Sequence, residues 1–302
     1  MKKLSVMSGG VLVALVAVLW PRDAHAWGPL AHMSFASGAL SELSLFSPAV
    51  RMILSNFTGE FLYGGLAADI IVGKNLAPYS THCHNWNIGF SVLDRAKTDA
   101  QRAFSFGFLS HLAADTVAHN YYVPYKTVQG FRIRAANHAY WEIRYDQKLP
   151  SDLWQLGQKV CGREYREHDA HLEDCLSESY VIPFSISKRL FGSILLAARL
   201  KKWQTLSRVL AGDEYSLHTE EVQECRKLAV EQIVGMLKHG RDARCVTADP
   251  TGGRNLHHAN QLRLQLKDAK LPEKNANEVV RRARPAFREA IHGRLNVPAV
   301  YS

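Results

Sequence analysis

The sequence predicts a mainly α protein, an irregular multi-helix bundle, and three observations carry that reading. Apolar residues recur at helical spacing in several long segments. No run alternates apolar and polar residues as a half-buried strand does. Glycine and proline gather near residues 73–79 and 249–253, which read as loops between helices. The chain holds no internal repeat and no low-complexity tract.

The first element is a leader. Lys2 and Lys3 precede an apolar run from Val11 to Leu19, and Ala24-His25-Ala26 offers the small residues a signal peptidase needs. The run falls short of the roughly 18 residues of a membrane span, and no later segment is long and apolar enough to cross a bilayer. Residues 1–26 are therefore expected to be a cleaved signal peptide. The mature chain, from Trp27 to Ser302, is expected in a periplasm or outside the cell. Residues 27–150 then form a helical core that carries the chemistry. Residues 151–302 form a helical C-terminal region, with its place in the same domain left open.

The helices follow from periodicity. Asp99 to Tyr122 repeats Ala103, Phe104, Phe108 and Leu112, with Gly107 its one glycine and no proline. Asn137 to Gln147 reads as a short helix. Ser185 to Leu210 reads as a long one, with Ile186, Leu190, Ile194 and Ala197 on one face. Thr219–His239, Asn255–Ala269 and Asn277–Arg294 complete the set.

Charge narrows the partners only a little. The formal charge of +9 becomes +7 without Lys2, Lys3, Arg22 and Asp23. Much of the surplus lies after residue 250, around Arg281-Arg282-Ala283-Arg284, as a solvated helix face or as a patch that attracts anionic lipid or nucleic acid. Apolar residues at helical spacing nearby (Val279, Val280, Phe287, Ile291) would add a surface for membrane contact, with Pro285 expected to bend or interrupt the helix. No feature calls for an obligate protein partner. The five cysteines suit an oxidising compartment: Cys161 with Cys175, and Cys225 with Cys245, would close local loops, though sequence does not fix connectivity. Cys83 is left over between two histidines, either as a small buried residue or as the neighbour of a metal site.

Histidines are spread unevenly. His168, His171, His218, His239, His257, His258 and His292 are scattered among charged residues and read as surface groups. Those before residue 143 cluster with acids. In "HLAADTVAHN", His111, Asp115 and His119 stand four apart, so a helix would line them along one face within about 80°. Two imidazoles and a carboxylate suit a borderline divalent ion such as zinc. A core of hydrogen-bonded histidines would satisfy the same three groups, and this segment alone does not decide between them. In "NHAYWE", His138 and Glu142 are again four apart, a spacing used for multinuclear sites inside bundles. Asp69 sits in the apolar "GGLAADI", and His82 and His84 flank Cys83 in "THCHNW". An isolated aspartate of this kind is also a common cap or turn residue.

Together these residues resemble the zinc-dependent phospholipase C family, whose fold is shared with the single-strand-specific zinc nucleases. The resemblance runs from Trp27 to Glu142. It implies the multi-helix zinc fold and a mature N-terminal tryptophan that binds zinc through its α-amino nitrogen and carbonyl oxygen. Trp27 would take that role, with His32 beside it in a Trp-Gly-x-Leu-x-His wording closer to the nucleases. By the same resemblance one zinc is held by Asp69, His84 (or His82), His111 and Asp115. A second uses His119, His138 and Glu142, and a third uses Trp27, His32 and the shared Asp115, giving three per chain. Asp69 would double as general base. An α-amino group has a pKa of about 7.7 to 8.0, so the amine freed at Trp27 would be ready to ligate, and export would complete the site.

The sequence departs from the family in two places. His119 follows Asp115 by four residues, not six, and no proline follows Asp115 until Pro124. Ile70 and Ile71 follow Asp69, where the family places an aromatic that encloses a choline headgroup. The activity implied is phosphodiester hydrolysis, with phospholipid cut to diacylglycerol and a phosphorylated headgroup as the first reading. A single-strand nuclease or 3′-nucleotidase acting on nucleic acid, and a non-catalytic zinc-binding envelope protein, are the alternatives.

Overall fold

The computed structural model describes residues 27–71, 81–132, 138–176, 183–198, 217–269 and 271–293. The expected signal peptide, the loop at 73–79 and the end of the helix expected to reach Leu210 lie outside these residues.

The elements are α1 (Pro29–Leu40), α2 (Pro48–Asn56), α3 (Thr58–Ile70), α4 (Trp86–Asp94), α5 (Asp99–Val117), a π-helical turn (Ala118–Tyr122), α6 (Val123–Gln129) and α7 (His138–Asp146). They continue with α8 (Asp152–Cys161), α9 (Arg166–Cys175), α10 (Phe184–Ala198), α11 (Thr219–His239), α12 (Gly253–Asp268) and α13 (Glu273–Ala290). Among the described residues there are no strands, and the mainly α bundle stands.

Helix α5 is the axis. It starts at a capping box: Thr98 accepts from the Gln101 amide at 3.1 Å, and Gln101 accepts from the Thr98 amide at 3.3 Å. From Ala103 to Val117 it is buried at every position but Phe106, because α3, α4 and α11 pack around it. The α3–α5 seam is close enough that two positions must lack a side chain. A Cβ at Gly64 would overlap the carbonyl oxygen of Phe104, and one at Gly107 would overlap that of Phe61. This contact carries the end of α3, with Asp69, up to the middle of α5.

Helices after residue 150 share this core rather than forming one of their own. Helix α11 packs on α5 and α1, α12 on α6, and α13 on α6 and the π turn. Trp86 donates to the carbonyl of Ala248 at 2.8 Å, tying α4 to the loop before α12.

Helices α1 and α3 gave no periodic signal, and their burial explains it. Helix α1 buries nine of its 12 residues and α3 nine of its 13. A helix apolar on all sides has no stripe to detect.

Three readings are corrected. Val279, Val280, Phe287 and Ile291 are all under 10 % exposed, so α13 turns its apolar side inward and shows solvent Arg281, Arg282 and Arg288. Pro285 lies within α13 on that outer side, where water can satisfy the carbonyl that it leaves unbonded. His168 and His171 are buried, not superficial: His168 packs between Phe104 and Tyr165, and His171 lies 2.8 Å from the Val92 carbonyl. The cysteines are all unpaired. Cys245 rests on the carbonyl of Gln232, seven residues along α11 from Cys225, about 10 Å at 1.5 Å per residue and too far for a disulfide.

Candidate metal centre

Five of the expected ligands converge at the middle of α5. Asp115 is fully buried, and around its carboxylate stand His84 Nε2 at 3.2 Å, His111 Nε2 at 3.3 Å and His32 Nε2 at 3.4 Å. The Asp69 carboxylate closes the group, 3.6 Å from His84 Nε2 and 3.8 Å from both His111 and His32. His84 and His111 face each other nitrogen to nitrogen at 3.0 Å, and the rings of His32 and His111 stack 3.8 Å apart.

The five members arrive on four chain segments. His32 comes from the first turn of α1, Asp69 from the last turn of α3, and His84 from the segment before α4. His111 and Asp115 come from one face of α5. The site therefore exists only when four chain segments are packed.

Proton positions follow from the outer partners. His111 Nδ1 lies 3.0 Å from the carbonyl oxygen of Gly65. A carbonyl only accepts, so Nδ1 carries the proton and Nε2 presents its lone pair to the cluster. His84 Nδ1 lies 3.2 Å from Cys83 Sγ, whose thiol in turn donates to the Ala68 carbonyl at 3.6 Å. Cys83 is thus both the small buried residue and the neighbour of the metal site. His82, Cys83 and His84 also place ligand atoms within 4.8 Å of one another. His82 Nδ1, however, accepts from the His84 amide at 3.0 Å. That bond puts the proton of a neutral His82 on Nε2, and it is His84 Nε2 that stands beside Asp115 and His111.

Electrostatics agree with a bound cation. Burial, helped by the neighbouring His111, lowers His32 to a pKa of about 3, so it is neutral at physiological pH. Burial alone would raise Asp115, but the imidazoles of His111, His84 and His32 outweigh it and hold the carboxyl well below the usual range. No oriented hydrogen bond reaches either Asp115 oxygen or His32 Nε2.

Zinc fits these residues. Donors about 2.0–2.1 Å from a shared ion stand roughly 3.3 Å apart at the tetrahedral angle. The observed separations of 3.0 to 3.8 Å bracket that value. Three imidazoles and two carboxylates are also the donor types that zinc takes.

The remaining expected ligands are placed as follows. Trp27 is buried beneath Tyr122, Tyr145 and Phe35, and its indole donates to the Ala114 carbonyl at 2.9 Å, beside Asp115. His119 stands in the π turn that begins at Ala118, where the helix widens from the α spacing that joins His111 and Asp115. Its Nδ1 meets the Pro250 carbonyl, and Gly252, at φ +59°, packs so closely that a side chain there would overlap His119. Glu142 is buried in α7, while the side chain of His138, at the start of that helix, lies outside the described residues.

One residue of the region escaped the sequence reading. Asp146, one turn beyond Glu142, accepts from the amides of Leu30 at 3.2 Å and Ala31 at 3.0 Å. Burial pushes its carboxyl up to about 7, against the two backbone donors that pull it down. A buried acid four residues after Glu142 was its only signal in the sequence.

Residues 31–186 match the family model described as zinc dependent phospholipase C, a span of just over half the chain. It contains all five converging residues and Glu142, and it begins after Trp27. No match was found among curated proteins or among solved structures. Among the described residues no helix is long and apolar enough to cross a membrane.

Proposed function

The chain belongs to the zinc-dependent phospholipase C family, and from that membership we propose that it is an exported phosphodiesterase that hydrolyses glycerophospholipid to diacylglycerol and a phosphorylated headgroup. The observation that carries the proposal is the convergence of His32, Asp69, His84, His111 and Asp115 at metal-sharing separations. These five residues would hold zinc, with Trp27 completing the N-terminal position and His119, His138 and Glu142 forming the outer one. Zinc, when bound, lowers the pKa of water and offsets charge on phosphate oxygens.

The chain's own groups do the rest. His111 and His84 keep their protons on Nδ1, against Gly65 and Cys83, and so present fixed lone pairs at Nε2. Asp69 is the most exposed side chain of the cluster, at 7 % against 0–3 % for the others. Its carboxylate is the group that incoming water meets, and it takes the proton as the water oxygen attacks phosphorus. The bond between phosphorus and the glycerol oxygen breaks, and that oxygen leaves as the alcohol of diacylglycerol by taking the proton that Asp69 carries, which returns Asp69 to its carboxylate.

The test gives the zinc-loaded mature protein two substrates. Vesicle or short-chain phospholipid should yield diacylglycerol, and single-stranded DNA or RNA should be cut poorly. Rapid nucleotide release without diacylglycerol would move the protein to the nuclease side. Inactivity on both, with zinc bound and chelation lowering the Tm, would leave zinc as a structural element.

A further inference from the structure

The first turn of α1 has an unusual cap. Gly28, at its N-cap position, has no side chain to accept the first-turn amides, and Pro29 has no amide to offer. The His32 amide reaches the Gly28 carbonyl at 3.3 Å. The two amides left, of Leu30 and Ala31, both go to Asp146, on a helix more than a hundred residues away in sequence. Gly28 has ordinary extended angles, φ −65° and ψ 162°, so it is glycine for space alone: a Cβ there would overlap the Asp146 carboxylate. The Gly-Pro pair after Trp27 thus fits a distant acid.

We propose that Asp146 is a positioning residue for the zinc site, clamping the first turn of α1 to α7 so that His32, and the N-terminus at Trp27, meet the ligands on α5. The clamp joins the helix that carries Glu142 to the helix that carries His32, and it sets the distance between two parts of the centre that α5 alone does not fix. A carboxylate at a helix N-terminus also meets the positive end of the helix dipole, which helps to hold it there despite burial. The inference rests on the functional reading above for the metal, and on geometry for the role.

The test is a zinc titration of metal-stripped mature protein against a chromophoric chelator, with Tm and turnover measured alongside. Asp146→Ala should lower affinity for at least one zinc equivalent 10- to 100-fold, the usual range for a residue that orients a ligand. Asp146→Asn, which keeps one acceptor oxygen, should lose less. Gly28→Ala should reproduce the loss by pushing the carboxylate aside. In the Asp146→Ala background, where the methyl has room, Gly28→Ala should cost nothing more. Ser47→Ala, which removes a cap contact to Val50 on α2, should lower Tm without moving zinc affinity. Wild-type zinc affinity in Asp146→Ala, or additive losses from the two substitutions, would overturn the clamp and leave the functional reading intact. Wild-type protein that binds no zinc would remove both. Should Asp146→Ala fail to fold, Asp146→Asn and Gly28→Ala still decide the matter.

Discussion

His111 turns its Nδ1 to the carbonyl oxygen of Gly65, 3.0 Å away, across the tight seam between α3 and α5. The bond does two things at once. It fixes which nitrogen of the imidazole is bare, and it makes that nitrogen's position depend on helix packing. Replacing His111 or Asp115 with alanine should therefore remove zinc as well as turnover, with kcat/KM down by at least about 100-fold. His257→Ala, on the exposed side of α12, should change neither. Metal analysis of purified variants checks this, and a His111→Ala protein with full zinc content would make the cluster a polar core.

The glycines of α3 give a sharper test of the seam. Gly64→Ala forces a methyl into the Phe104 carbonyl and should cost about 1–3 kcal/mol or more. Its neighbour Gly65 has only ordinary contacts waiting, 3.8 Å to the Ala36 Cβ and 3.9 Å to the Gly107 oxygen. Gly65→Ala should be neutral, or stabilising by up to about 1 kcal/mol through helix propensity, with zinc binding kept. Chemical denaturation of the pair reads the difference, and equal effects would contradict the packing.

Maturation is the third expectation. Secreted protein should begin at Trp27, whose ring is buried and whose indole is bonded beside Asp115. One extra residue before Trp27 turns its amine into an amide, a much poorer donor, and should lower zinc affinity at least about 10-fold. N-terminal sequencing with a zinc titration checks it. A different start with full affinity would remove the terminal amine from the site.

Acidity should act on the metal-stripped protein through two buried groups of opposite sense. His32 has a folded pKa of about 3, below the ordinary 6.5, so the unfolded chain takes up its proton first. Its contribution to stability is complete above about pH 6.5 and is lost as pH falls toward 3, at up to about 1.4 kcal/mol per unit. Asp146 is raised to about 7 from 3.8, so its contribution is complete below pH 3.8 and is lost as pH rises through 7. Tm against pH for His32→Asn and Asp146→Asn should each lack one of these opposed slopes. Wild-type curves in both variants would contradict the burial argument.

How much of this was legible depends on what each residue faces. His111 with Asp115 could be read because α5 keeps true helical spacing between them, and His138 with Glu142 shares a helix for the same reason. His119 was read at the same spacing, but nothing in "AHNYY" announces that the helix turns one residue wider there. The helices bearing His32 and Asp69 were silent because they are buried on all sides. Asp69 was found by its wording within a family pattern, not by periodicity. Asp146 was missed because its partners are backbone amides, which carry no sequence signature. The apolar stripe of α13 was read correctly as a stripe, but it marks the packed side and not a membrane-facing one.

The wide turn at Ala118–Tyr122 divides one rod into two addresses. Upstream, the side chains of His111 and Asp115 point to the ligand cluster. Downstream, His119 meets the Pro250 carbonyl, while Asn120 bonds the Asp249 carbonyl at 3.0 Å and the Asn255 amide at 2.5 Å. The stretch around residue 250 lies beyond the part of the chain that the family describes, yet it is fastened to the same helix by consecutive residues. A change in the later helices is therefore only a few residues of stiff backbone away from the ligands, and the unmatched end of the chain becomes a place from which the centre can be tuned.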